Sequence, residues 1–197
     1  MQKGDRVNYE DITNNYLFNI CVSPDYQNPN PVNNIDYLYP EFKDLILQML
    51  EEYERINLND CPYIYETYRS HTLQNIYYFR GASKIRGGNI LTAGMHHFGT
   101  AVDIINLEDK NGNKIKDKGE AVDWNTIDYK SMRVISRKLG IYDLGNYEVC
   151  HFQAIPVSEQ SQLRRYIYNK VIQFQKEHNL VPDGIIGNKT INALKNG

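Results

Sequence analysis

The clearest pattern in the chain lies between Pro40 and Arg55, where Phe42, Leu45, Ile46, Met49, Leu50 and Tyr53 recur at spacings of three and four. One helical face collects all six, and a proline at the first position suits a helix start. A second such face, Leu163, Ile167, Val171 and Phe174, predicts a helix over 163–178. The aromatic and β-branched run from Tyr63 to Tyr68 predicts a strand. Further strands are expected over 100–106 and 148–152. Helices are expected over 70–79, over 128–139 with Gly140 closing it, and over 188–194 after an Asp183-Gly184 turn. Gly81, Gly87, Gly88 and Gly94 mark a long loop, and a loop of that length in a compact domain is often functional. Residues 1–39 are polar with Asn and Pro clusters and predict an irregular arm, with a short strand near Phe18–Val22. Residues 108–120 read as a charged turn and 155–161 as a linker.

These elements predict an α+β protein: a small antiparallel sheet with flanking helices, plus a small C-terminal helical domain. The expected divisions are 1–39 for the arm, 40–155 for the main domain and 160–197 for the tail. At 197 residues, with 41% hydrophobic and 23% charged positions, there is material for a real core. A net charge of -2 leaves no basic surplus, so nucleic acid is not an expected partner. No apolar run reaches the ~18–20 residues of a membrane span. Met1 to Glu10 lacks the basic-then-apolar order of a secretory signal, and Cys21, Cys61 and Cys150 are too few and odd in number for a disulfide framework. Synthesis in the cytosol as a monomer is the expectation. The 22 asparagines and 16 tyrosines suit polar ligands, although genome bias explains the asparagines equally well.

Chemistry concentrates around the histidines. His96-His97-Phe98-Gly99-Thr100-Ala101-Val102-Asp103 sets a histidine seven residues before an aspartate, with a glycine between. That fits a loop histidine folding back beside an aspartate at a strand start. Glu148-Val149-Cys150-His151 sets a carboxylate three residues before a histidine. Two imidazoles and one carboxylate make a zinc site with a fourth position open to water, and a zinc hydrolase needs a second, non-ligand carboxylate as general base. Each histidine alone is equally at home in a structural role.

The run Tyr68-Arg69-Ser70 with Gln74, then His96-x-x-Gly99-x-Ala101-x-Asp103, then Glu148-x-x-His151-Phe152, resembles the M15 zinc peptidases over roughly residues 40–155. That family includes D-Ala-D-Ala carboxypeptidases and dipeptidases and the L-alanyl-D-glutamate endopeptidases of phage endolysins. The resemblance implies a hedgehog/DD-peptidase-like fold. It implies one zinc per chain on His96, Asp103 and His151, with Glu148 as catalytic base. Arg69 would hold the substrate carbonyl or oxyanion, with Tyr68 and Gln74 as further substrate contacts. His97 competes with His96 on adjacency, and the family spacing selects His96. Two positions depart from the family: Gly94 stands where a serine is usual, and Val149 and Cys150 stand where aromatics are common. The first departure favours an L-alanyl-D-glutamate endopeptidase over a D-Ala-D-Ala carboxypeptidase or dipeptidase.

The tail also carries a pattern: Phe174-Gln175, then Asp183-Gly184-Ile185-Ile186-Gly187, then Thr190-x-x-Ala193-Leu194. It resembles the small helical peptidoglycan-binding domain of cell-wall hydrolases. That implies peptidoglycan as partner and a three-helix unit with Phe174, Ile185, Ile186 and Leu194 as its core. For an enzyme without a leader, delivery to the wall by phage lysis or an injection apparatus is the expectation. A non-catalytic, zinc-stabilised wall binder is the alternative class.

Other constellations weigh less. Asp109, Asn111, Asn113 and Glu120 match calcium-loop positions, but Lys114 replaces the turn glycine, so a solvated hairpin around Asn111-Gly112 is expected. Cys150 reads as a small buried hydrophobe. Tyr63, Tyr65, Tyr68, Tyr77 and Tyr78 read as core more readily than as a cleft lining.

Overall fold

The computed structural model describes residues 7–114 and 116–196; positions 1–6 of the expected arm and position 197 of the tail lie outside the described residues. Helix α1 (Tyr9–Asn15) opens on Asn8, whose side-chain oxygen accepts from the backbone N–H groups of Glu10 and Asp11. It continues into a π-helical turn, Tyr16–Ile20. Ile12, Tyr16 and Ile20 are four residues apart and fully buried, whereas Phe18 is 53% exposed. The strand expected near Phe18–Val22 is therefore corrected to helix, because the apolar positions follow a helical period. Tyr26, Tyr37, Leu38 and Tyr39 join the same core.

Helix α2 (Pro40–Ile56) buries Phe42, Ile46, Met49 and Tyr53, with Leu45 and Leu50 flanking that stripe partly buried. Helix α3 (His71–Phe79) is capped by Ser70, whose Oγ accepts from the Leu73 N–H. Helix α4 (Tyr129–Lys138) is capped by Asp128, ends at Gly140 with φ +79°, and packs on α2.

The sheet is antiparallel, with strands β1 (Pro62–Glu66), β2 (Ala101–Leu107), β3 (Val122–Asp123), β4 (Tyr142–Asp143) and β5 (His151–Gln153). The order is β1-β2-β5-β4, and β3 pairs with β2 as well. The fold class is α+β, with helices around a small sheet whose middle strand is β2. Strands β3 and β4 have two residues each, too short to carry a readable alternation. Between β2 and β3, the Asp109 carboxylate accepts backbone N–H groups of Asn111, Gly112 and Lys114, and Glu120 accepts those of Lys110 and Asp117. A broad loop organised by carboxylates thus replaces the tight hairpin expected at Asn111-Gly112.

Ile155 is buried, and the 3₁₀ turn Val157–Glu159 leads directly into helix α5 (Gln160–Glu177). Helix α5 buries Leu163, Ile167 and Val171, then Gln175 rather than Phe174, because the buried face advances by four. Phe174 stacks on His178 and packs half-buried at the edge of the core, whereas Ile185 is 59% exposed and leaves the core expected of the tail. Ile186 and Leu194 are buried. Gln175 ties the following turn: its Nε2 donates to Asp183 Oδ1 and Ile185 O, and its Oε1 accepts from Gly184 N–H. Gly184 has φ +73°, and a Cβ there would fall 2.1 Å from the Tyr168 ring, so only glycine fits. Helix α6 (Asn188–Asn196) completes two tail helices among the described residues, not three. Helix α6 packs on the Tyr16–Ile20 turn and α5 on α1. No helix among the described residues is long and apolar enough to cross a membrane.

Candidate metal centre

Strand β2 places Asp103 in the middle of one cross-strand row. Its partner on β1 is Glu66, reached after a register shift between Ile64 and Glu66, and its partner on β5 is His151. His96 arrives from the 3₁₀ turn Met95–Phe98, which closes on Gly99 at φ +64°. A Cβ on Gly99 would lie 2.0 Å from the Tyr37 carbonyl oxygen, so glycine is required for the chain to fold back onto β2. This is the physical content of the His-x-x-Gly spacing.

The three donors form a near-equilateral triangle. His96 Nε2 lies 3.2 Å from Asp103 Oδ1 and 3.2 Å from His151 Nδ1, and His151 Nδ1 lies 3.1 Å from Asp103 Oδ1. All three residues are buried, and together they could hold a metal ion. The face of a tetrahedron with bonds of about 2.0–2.1 Å has edges of about 3.3–3.4 Å, close to this triangle. Burial alone would raise the Asp103 carboxyl, but the two imidazoles bonded to it hold it well below the usual range, in the charged form a cation needs.

Hydrogen bonds also assign a tautomer to His151. Gln153 donates its Nε2 to Ile155 O, so its Oε1 is an acceptor and His151 Nε2, 3.1 Å away, donates to it. His151 Nδ1 therefore turns a lone pair toward the triangle when the ring is neutral. Burial opposes protonation of His151, yet the Asp103 carboxylate bonded to it raises its pKa, so a proton would compete with any cation held there.

A cleft of about 660 Å³ opens over the triangle. Arg69, Gln74 and Glu148 line it, with Tyr65 and Tyr77. Arg69 is bonded to Glu66 through Nε and Nη2, and Nη2 lies 3.5 Å from Asp103 Oδ2. Burial works against its charge, but Glu66 and then Asp103 raise its pKa, so it stays a fixed cation behind the carboxylates. Glu148 is half-buried, and its carboxylate makes no hydrogen bond or ion pair among the described residues. Gln74 is spent on the loop, its Nε2 donating to Ser83 Oγ and Ile85 O.

Tyr68 does not reach the cleft: it is fully buried and donates its hydroxyl to Tyr26 O, which corrects the expected substrate contact. Two residues past the end of β1, where the backbone bridges to Val32, its large ring is taken up by the core. His97 points away from the triangle, 2.5 Å from His71 Nδ1, and burial lowers both pKa values, that of His71 to about 4. Burial pushes the Cys150 thiol up to about 12, a poor nucleophile. Glu66 and Gln153 were missed from sequence. Each had a signal: Glu66 sits three before Arg69, and Gln153 sits two after His151, on the same face of a strand.

Residues 142–194 match a family described as a putative peptidoglycan binding domain. The match links the chain to the cell wall, with peptidoglycan as partner. It begins before the expected tail and takes in β4, β5, α5 and α6, so Glu148 and His151 fall inside it. No curated protein matches the chain.

Proposed function

We propose that this chain is a zinc peptidase of the M15 type that hydrolyses a stem-peptide amide bond of peptidoglycan, with the L-alanyl-D-glutamate bond as target. One observation carries the reading: an unpaired carboxylate, Glu148, shares a cleft with a buried triangle of two imidazoles and a carboxylate. A purely structural metal site has no use for that fourth, non-ligand acid. The donor set fits zinc, since two nitrogens and one oxygen leave one tetrahedral position open. His96, Asp103 and His151 would hold the ion, which when bound supplies Lewis acidity toward a carbonyl oxygen and toward water.

The chain's own residues do the rest. Glu148 takes the proton of the attacking water and returns it to the leaving nitrogen. Arg69 Nη2 pairs with Asp103 Oδ2 and helps to orient it, and its Nη1, which has no partner among the described residues, serves the developing oxyanion. Gln153 fixes the ring of His151. The peptidoglycan match covers the helix beside the cleft, which supports the cell wall as the source of the substrate.

Digestion of purified peptidoglycan followed by labelling of new amino termini tests the bond. D-glutamate termini are expected. Release of free D-alanine without them would assign the D-Ala-D-Ala bond instead.

A further inference from the structure

The charged groups on the cleft wall do not all find partners within the protein. Arg69 is matched by Glu66 and Asp103. Arg164 is not: it lines the same cleft, is half-buried, and makes no ion pair among the described residues. Its Nε donates to Ala93 O at 2.6 Å and its Nη2 to Gln160 Oε1 at 3.0 Å. Both acceptors are neutral, so they aim the guanidinium without cancelling its charge. Burial accordingly lowers its pKa, the mark of a cation stripped of water and given no anion.

Its position is rigid and tied to the metal centre. Gln160 and Arg164 are one turn apart on α5 and share a face. Gln160 Nε2 donates to Gln153 Oε1 at 3.2 Å, the same oxygen that receives His151 Nε2. Three hydrogen bonds thus separate the guanidinium from a metal ligand. Beside it there is room: Gly94 follows the Ala93 carbonyl on the cleft wall, and nothing lies within 4 Å of where its Cβ would be. Lys84 also lines the cleft, but it is exposed and lies in the 81–94 loop.

We infer that Arg164 is the carboxylate-recognition residue of this cleft, and that the substrate is an acidic peptide carrying a free carboxylate near the reacting bond. The inference deepens the peptidase reading and rests on it for the reacting bond. A guanidinium offers a planar fork that a carboxylate fills with charge-assisted hydrogen bonds, which an amide at the same position fills less well. The carboxylate has two sources on a stem peptide: the α-carboxylate of the D-glutamate and the carboxylate of the terminal residue.

The test uses three synthetic stem tetrapeptides: the free acid, one amidated at the D-glutamate α-carboxylate, and one amidated at the C-terminus. Affinity for the full zinc-loaded chain is measured by calorimetry, and KM and kcat alongside. Wild type is expected to bind the free acid about 10- to 100-fold more tightly than one of the two amides. The amide that loses affinity names the source. Arg164→Gln should erase that preference at unchanged zinc content, and Arg164→Lys should keep part of it. Equal affinity of wild type for all three peptides would overturn the inference, and so would a preference that survives in Arg164→Gln. The acid-to-amide ratio is internal to each protein, so a variant that is merely less stable does not imitate the result. A preference without turnover would leave Arg164 in its role and overturn the peptidase reading. Turnover without a preference would do the reverse.

Discussion

Replacing His151 with alanine is expected to abolish metal binding at the centre and, with it, the proposed hydrolysis. Among the described residues no imidazole or thiolate is placed to substitute: His97 is turned toward His71, and burial keeps the Cys150 thiol protonated at neutral pH. Loss of a supporting group around a metal typically costs about 10–100-fold in affinity, and loss of a ligand itself exceeds that. Elemental analysis of dialysed protein should read one zinc per wild-type chain and essentially none for His151→Ala. The metal-free variant should also be less stable than metal-free wild type, because Asp103 and Gln153 Oε1 both lose a buried partner. Gln160 still donates to Gln153 Oε1 and His96 stays on Asp103, so neither is left bare and each lost hydrogen bond costs about 0.5–1.5 kcal/mol. Full zinc occupancy in His151→Ala would remove His151 from the ligand set.

Glu148→Gln gives the opposite split. The side chain keeps its size, loses its negative charge and its ability to accept a proton, and belongs to no hydrogen-bond network among the described residues that the change could disturb. Zinc content and thermal stability should match wild type, while kcat falls by about 10²–10⁴-fold, the span of a general base. Turnover near wild type in zinc-loaded Glu148→Gln would mean that another group moves the proton.

Much of this site was legible in the sequence, for a physical reason. His96, Gly99 and Asp103 lie within eight residues, and the glycine's φ of +64° is a constraint that a sequence displays directly. His151 was legible through its acid three residues earlier. What escaped depended on contacts across the sheet and the tail. Glu66 meets Asp103 only because β1 shifts register, and Arg164 meets the cleft only because α5 lies along it. The N-terminal segment was misread for a different reason. Its Asn and Pro clusters obscured Ile12, Tyr16 and Ile20, whose spacing of four is the pattern that identified α2. In the tail, Phe174 drew attention as the larger apolar group, whereas the amide of Gln175 is the buried one that ties the Asp183-Gly184 turn.

On the proposed function, the His96–Asp103–His151 triangle makes this wall-associated chain a metal-dependent peptidase. The most direct measurement is a zinc titration of chelator-stripped protein on purified peptidoglycan, reading the appearance of new amino termini. The proposed peptidase should show no release from the stripped protein, a linear rise, and a plateau at one zinc per chain. A protein that pellets with the wall yet releases no amino termini at any zinc level would contradict it and would identify a binding module instead.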